Sequence, residues 1–183
     1  MPSVLIPLAS GFEELEAITL IDLLRRAGIE VLTAGLAPGE VRASHGTVHV
    51  PDIDLDSALT REYDMVVLPG GLPGSDHLAE DPRVVALVKK MSAAGQFTAA
   101  ICAAPRVLVK AGILAGKRIT AYPGCIDPKT LPKITLLSEA VVRDGTVITS
   151  RGPGTAMDFA LTLIEALTNF AVRKQVEEDL YRP

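Results

Sequence analysis

The chain has 183 residues, of which 48% are hydrophobic and 4% aromatic, with no tryptophan. This length suffices for a single domain over residues 1–183 whose core is built from Leu, Ile, Val and Ala. The formal net charge is −4 and no block of basic residues is present, which argues against nucleic-acid binding and does not favour an anionic membrane surface.

The predicted elements alternate between short apolar strands and helices. In chain order we predict a strand at 4–8, a helix at 13–27, a strand at 29–34, a hairpin at 41–50, a strand at 64–68, a helix at 82–94, a strand at 97–101, a helix at 104–110, a strand at 118–121, a hairpin at 141–149, and helices at 155–167 and 171–180. This alternation indicates an α/β, flavodoxin-like three-layer sandwich: a mostly parallel central sheet with helices on both faces.

Three segments that carry chemical groups follow predicted strands. They are residues 10–16, 69–75 and 100–105. Ligands of open parallel sheets bind at the carboxyl ends of the strands. We therefore expect these segments to meet and form the site.

Cys102 stands where a strand passes directly into a helix, between small residues. Such spacing is typical of a sharp, strained turn that exposes a nucleophile. We expect the helix dipole to lower the pKa of the thiol and the Ala103 amide to hold an oxyanion. The alternative is a buried structural cysteine. Cys125 lies in a loop without a helix start, and we interpret it as structural.

Glu16 lies within the apolar stripe of the first helix. Leu20, Leu23, Leu24 and Ala27 follow it at helical spacing, whereas Glu14 falls on the polar side with Arg25. Burial raises the pKa of a carboxyl group and supplies a proton donor near neutral pH. The alternative is a helix-start glutamate with local hydrogen bonds. Glu13, in the first turn, favours the helix dipole.

Two glycine-rich loops and three histidines are the remaining candidates for binding residues. Gly70 and Gly71 follow a strand, and Gly71 offers a second oxyanion donor. Arg151 begins a Gly-Pro-Gly turn that either binds an anion or only turns the chain. The spacing of the histidines matches no standard metal site, so we predict no metal.

The cysteine content and the first residues bear on the compartment. Two cysteines are too few for a disulfide framework, the first residues lack the features of a secretory leader, and no apolar run approaches membrane-spanning length. We expect a cytoplasmic protein with reduced thiols and no membrane association.

The chain resembles the parkinsonism-associated deglycase family, known as DJ-one, within the ThiJ/PfpI superfamily. The resemblance covers nearly the whole length and rests on five segments: ASGFEELE at 9–16, RRAGI at 25–29, VVLPGG at 66–71, AAICAAP at 99–105 and TSRGPGT at 149–155. It implies a homodimer, a reactive and oxidation-prone Cys102, Glu16 as its partner acid, and oxyanion donors at Gly71 and Ala103.

The resemblance also implies activity without a cofactor on small 2-oxoaldehydes or glycated substrates: conversion of methylglyoxal or glyoxal to 2-hydroxy acids, repair of early glycation adducts, or both, in oxidative and carbonyl stress. The alternative is a non-enzymatic redox sensor or chaperone in which Cys102 becomes a sulfinate. A peptidase or other hydrolase is disfavoured because Ala103 follows the cysteine where the protease branch has histidine. The chain departs from the family's parkinsonism-linked member by carrying Tyr122 in place of a histidine and His45 in place of an arginine, both in the possible pocket.

Overall fold

A seven-stranded sheet organises the computed structural model, which describes residues 1–129, 131 and 133–182. Its strands lie in the order Val141–Asp144, Val147–Ser150, Phe97–Ile101, Met65–Leu68, Ser3–Leu8, Glu30–Gly35 and Ile53–Asp54, and every pairing is parallel except that of the first two. Two small two-stranded sheets lie outside it.

The described strands and helices have the following bounds. The strands are β1 Ser3–Leu8, β2 Glu30–Gly35, β3 Val41–Arg42, β4 Val48–His49, β5 Ile53–Asp54, β6 Met65–Leu68, β7 Phe97–Ile101, β8 Arg118–Thr120, β9 Thr135–Leu137, β10 Val141–Asp144 and β11 Val147–Ser150. The helices are α1 Glu14–Arg26, α2 Leu55–Ala58, α3 Gly74–Glu80, α4 Pro82–Ala93, α5 Pro105–Lys110, α6 Ala156–Leu167 and α7 Phe170–Asp179, with a 3-10 turn at Pro153–Thr155.

Two hydrophobic layers cover the two faces of the sheet. One contains the buried side chains of α1 and α6, including Leu20 and Phe159. The other contains those of α2 to α5, including Leu78 and Val107. Central strands are apolar on both faces for this reason, and β6 is buried along its whole length. The α/β three-layer prediction is confirmed.

The structure adds four short elements that the sequence analysis did not predict: β5, α2, α3 and β9. Each depends on contacts or capping that a periodic pattern does not reveal. Asp54 caps α2 by accepting a hydrogen bond from the Ser57 amide at 2.9 Å. The helix α3 begins at Gly74, inside a segment whose glycines and prolines indicate a turn. The three-residue β9 is held by parallel pairing with β8.

Candidate active site

Cys102 lies directly after β7, on the turn that leads into α5. Its φ angle is 63°, in the left-handed region that non-glycine residues rarely adopt. Two backbone hydrogen bonds hold this conformation: the Cys102 amide donates to the Ser150 carbonyl at 3.0 Å, and the Tyr122 amide donates to the Cys102 carbonyl at 2.9 Å. The predicted strained strand-to-helix turn is confirmed.

Glu16 points from α1 into the protein and has no exposed surface. Its Oε2 accepts a hydrogen bond from the Gly70 amide at 2.8 Å. Its Oε1 has no hydrogen-bond partner of good geometry among the described residues. The Cys102 thiol lies close enough to Glu16 for the two side chains to perturb each other's pKa. The sequence prediction that Glu16 is buried, with its carboxyl group beside the cysteine, agrees with this geometry.

Burial governs the protonation of this pair. Desolvation raises the pKa of Glu16 to about 7, against the opposing effect of the Gly70 hydrogen bond. Desolvation likewise raises the pKa of Cys102 to about 12, and the negative charge of ionised Glu16 adds to the rise. Hydrogen bonds from the amides of Gly71 and Ala103 act in the opposite direction but do not offset it.

The expected lowering of the Cys102 pKa by the helix dipole is therefore wrong for this chain. The helix α5 has six residues and begins three residues after the cysteine. Its dipole is weak at that distance, whereas desolvation acts directly on the sulfur. Burial thus favours the protonated form of both Cys102 and Glu16, and the charge of either group disfavours ionisation of the other.

The glycine loop lets the two side chains approach. A Cβ atom on Gly70 would lie 2.6 Å from both Cys102 Cβ and Glu16 Oε2. A Cβ atom on Gly71, whose φ angle is 89°, would lie 2.4 Å from the Glu13 amide nitrogen. Neither position accepts a side chain without displacement of its surroundings. Gly70 thus contributes to the site in two ways: its amide binds Glu16, and its lack of a side chain lets Glu16 and Cys102 approach each other.

Glu13, Glu14 and His45 form a cluster at the start of α1. Glu13 caps the helix by accepting a hydrogen bond from the Glu16 amide at 2.7 Å. Glu14, on the polar side of α1, accepts hydrogen bonds from Ser44 and from the His45 amide, each at 3.1 Å. Burial alone would raise the pKa of Glu14, but hydrogen bonds from its own amide, from the amide and side chain of His45 and from Ser44 lower it to about 2.

This cluster brings carboxylate and imidazole atoms within 4.8 Å of one another, a convergence that the histidine spacing did not predict. His45 Nδ1 lies 3.2 Å from Glu14 Oε2 and 3.6 Å from Glu13 Oε1. The carboxylates already bind the helix start and the hairpin of β3 and β4. The arrangement is therefore accounted for by its internal hydrogen bonds.

Tyr122 and Arg151 line a cavity of about 300 Å³, together with Pro123 and residues 152–155. The Tyr122 ring packs over Gly152, where an added Cβ would lie 3.2 Å from Tyr122 Cδ2. Cys125 lies in the same loop, but its thiol contacts the Arg106 guanidinium, which is also paired with Asp76. The structure thus joins Tyr122 to the Cys102 backbone and gives Cys125 a different partner.

Five of the site residues predicted from the sequence come together, whereas His45 is not among the residues that line the cavity of Tyr122 and Arg151. Cys102, Glu16, Gly70, Gly71 and Ala103 come together at the carboxyl ends of β6 and β7, as expected for segments that follow parallel strands. Neither the capping role of Glu13 nor the hydrogen bond from Gly70 to Glu16 was predicted from the sequence. A glutamate three residues before Glu16 at a helix start was the available signal for the cap.

Among the described residues, no helix is both long and apolar enough to cross a membrane. The fold and the site define a class: α/β sandwich proteins with a cysteine on a strained strand-to-helix turn beside a buried acid. The chain belongs to the DJ-1/PfpI family, whose model matches residues 2–166.

Individual relatives extend this likeness over nearly the whole chain. The Protein dj-1beta of Drosophila melanogaster is 44% identical over 178 residues, which cover 96% of this chain and 93% of that protein. Its crystal structure has a TM-score of 0.95, with 41% identity and coverage of 100% and 98%. The glutathione-independent glyoxalase DJR-1.2 of Caenorhabditis elegans is 40% identical over 155 residues, which cover 85% of this chain and 82% of that protein.

Proposed function

We propose that this protein is a cofactor-independent enzyme that converts small 2-oxoaldehydes such as methylglyoxal and glyoxal to 2-hydroxy acids. The observation that carries the proposal is the buried Glu16 carboxyl group, held by the Gly70 amide with its second oxygen unpartnered, beside the Cys102 thiol. A base of pKa about 7 next to a nucleophile matches proton-shuttle chemistry near neutral pH. The similarity of this chain to a Caenorhabditis elegans protein named as a glutathione-independent glyoxalase supports the same reaction.

The reaction begins at the thiol. Ionised Glu16 takes the proton of Cys102 as the sulfur adds to the aldehyde carbon, and the protonated acid then returns it to the new oxygen, giving a hemithioacetal. The amides of Gly71 and Ala103 are placed near the sulfur to stabilise the developing oxyanion. A thiol of raised pKa is reactive here because its proton leaves during the attack.

Glu16 then moves a second proton. It removes the proton from the former aldehyde carbon, giving an enediolate. The hydroxyl proton on that carbon passes to the oxygen of the neighbouring carbon, and Glu16 then returns its proton to the neighbouring carbon. The product is a thioester of the 2-hydroxy acid. Water hydrolyses the thioester, releases the acid and restores the Cys102 thiol. The net change is addition of one water molecule, so no oxidant or reductant is consumed.

Repair of early glycation adducts would use the same first step, attack of Cys102 on a carbonyl-derived carbon. We include it in the proposal as the second activity of this site, within protection against carbonyl and oxidative stress. Both activities need a reduced thiol, which fits a cytoplasmic location.

Lactate formation from methylglyoxal without glutathione tests the proposal. The wild type, Cys102→Ser and Glu16→Gln are compared, after each is shown to be folded by circular dichroism. We expect turnover in the wild type, and a loss of at least about 100-fold in both variants, because general base and nucleophile are each removed. A folded, reduced wild type without turnover would reject the enzymatic function, and unchanged turnover in Glu16→Gln would remove Glu16 from it.

A redox-sensor function is the second candidate, favoured by one observation. Glu16 presents an oxygen without a good partner toward Cys102, and the amides of Gly71 and Ala103 reach the sulfur. These donors, with a protonated Glu16, would stabilise a Cys102 sulfinate. Mild peroxide should then add two oxygens to Cys102 in the wild type, and mass spectrometry of the intact protein measures this. A thiol that persists would reject this role. Peptide hydrolysis remains the least favoured activity, because Ala103 follows the cysteine.

We also propose that two copies of the chain associate through the start of α1. Leu15 and Ile18 on α1 and Val48 and Val50 near β4 are exposed apolar side chains. The hydrogen bonds from Ser44 and His45 to Glu14 place this hairpin beside the start of α1, so the exposed side chains lie on neighbouring elements. Clustered exposed apolar side chains are typical of a protein interface.

A further inference from the structure

We infer that the cavity between Tyr122 and Arg151 selects 2-oxoaldehydes that carry a carboxylate a few bonds from the reacting aldehyde. The inference names the substrate class of the site and rests on the proposed function. It starts from a cation without a counter-charge. Most of the chain's arginines have carboxylate partners, such as Asp52 for Arg25 and Asp81 for Arg83. Arg151 has none among the described residues, and its side chain lines a cavity.

The strand order places this cation next to the nucleophile. In the parallel pair of β11 with β7, Ser150 lies opposite Ile101, so Arg151 and Cys102 are the residues that follow. The amide of Cys102 donates to the Ser150 carbonyl at 3.0 Å. Neighbouring strands lie about 5 Å apart. The backbone of Arg151 therefore starts one strand spacing from that of Cys102, although Cys102 is not itself among the residues that line the cavity.

The remaining walls suit a short substrate with an anionic end. Tyr122 is held by its amide to the Cys102 carbonyl at 2.9 Å, and its ring packs over Gly152. The cavity of about 300 Å³ accepts a chain of several atoms. A guanidinium group pairs with a carboxylate through two parallel hydrogen bonds. Arg151 can hold the anionic end while Tyr122 and Pro123 line the carbon chain.

The test compares two 2-oxoaldehydes that share the reacting group. 4,5-Dioxovalerate carries a carboxylate and gives 2-hydroxyglutarate, whereas methylglyoxal is neutral and gives lactate. We expect kcat/KM to be at least about tenfold higher for dioxovalerate in the wild type. In Arg151→Met this preference should fall about 10- to 100-fold, the range expected for a lost charge-assisted hydrogen bond. Arg151→Lys should retain part of it.

The control variant is Lys89→Met, which removes one positive charge on the exposed face of α4, outside the cavity. It should leave the preference unchanged within about twofold, because exposed charges at a distance are screened. If Arg151→Met leaves the ratio of the two kcat/KM values unaltered, the inference is rejected while the proposed function stands.

A second measurement decides the inference even if the protein turns over neither substrate. Iodoacetate and iodoacetamide alkylate a thiol by the same displacement of iodide, but only iodoacetate is anionic. The ratio of their rates at Cys102, followed by peptide mass spectrometry so that Cys125 is counted separately, reports the local field. We expect Arg151→Met to lower this ratio at least threefold relative to the wild type and to Lys89→Met. An unchanged ratio would reject an anion-binding role for Arg151.

Discussion

The amide of Gly70 donates a hydrogen bond to Glu16 Oε2 at 2.8 Å, although 54 residues separate the two in sequence. This bond ties the loop after β6 to the buried face of α1. It also holds the carboxyl group beside Cys102. The absence of a side chain on Gly70 permits this arrangement, because an added Cβ would lie 2.6 Å from both Cys102 Cβ and Glu16 Oε2. The geometry of the proposed acid–nucleophile pair thus depends on a residue without a side chain.

Gly70→Ala should therefore disturb both stability and turnover. The added methyl group meets Cys102 Cβ and Glu16 Oε2, and the Ile101 carbonyl at 2.9 Å. We expect a loss of about 1–3 kcal/mol in the free energy of unfolding, measured with urea, and a large fall in turnover. Gly154→Ala is the matched substitution for stability, since no heavy atom lies within 4 Å of its added Cβ. Equal stabilities of the two variants would contradict the close packing described here.

Glu16→Gln should change how stability depends on pH. The folded pKa of Glu16, about 7, lies above the ordinary value of 4.5 for a glutamate side chain. Below pH 4.5 the acid is protonated in both states. As pH rises to 7 the unfolded state ionises first, so the wild type loses stability. The variant has no such ionisation, so its free energy of unfolding relative to that of the wild type should increase by about 3 kcal/mol between low pH and pH 8.

Urea unfolding of the wild type and of Glu16→Gln at pH 5 and pH 8 measures this difference. The relevant quantity is how much the stability difference between the two proteins changes from pH 5 to pH 8, because any effect of the amide that does not depend on pH cancels. A parallel pH dependence in both proteins would show that the carboxyl group is not buried as the structure has it.

The same variant should separate thiol reactivity from turnover. Burial is the main cause of the raised pKa of Cys102, and the charge of Glu16 adds to it. Removing that charge should increase the thiolate population. We expect Cys102 of Glu16→Gln to react with iodoacetamide several times faster than the wild type at pH 8, while turnover is lost. Slower labelling would contradict the electrostatic coupling of the pair.

Charge on the exposed face of α1 should dissociate the proposed dimer. Leu15 and Ile18 are exposed in the single chain, and burying them in a partner would stabilise the assembly. We expect Leu15→Asp with Ile18→Asp to shift the mass measured by light scattering from two chains to one. Phe170→Asp, at another exposed apolar side chain, is the control and should leave the mass unchanged. A wild type that is already monomeric would reject the interface.

Much of the fold follows from local patterns in the sequence. The parallel strands β1, β2, β6 and β7 and the helices α1, α4 and α6 lie where apolar runs and helical periodicity predict them, and no boundary differs by more than one residue. The four missed elements are short, and long-range contacts or caps stabilise them more than propensity does. A pattern read over a dozen residues does not register such elements.

The sequence by itself determined that Glu16 faces the core and that Cys102 occupies a strand-to-helix turn, because helical periodicity and strand ends are local properties. Only the tertiary structure decided the rest. It joined Gly70 to Glu16, turned Glu14 toward the hairpin, and placed Arg151 one strand from Cys102 through the pairing of β11 with β7. It also raised the pKa of Cys102, because desolvation depends on everything packed around the sulfur, and no short stretch of sequence contains that information.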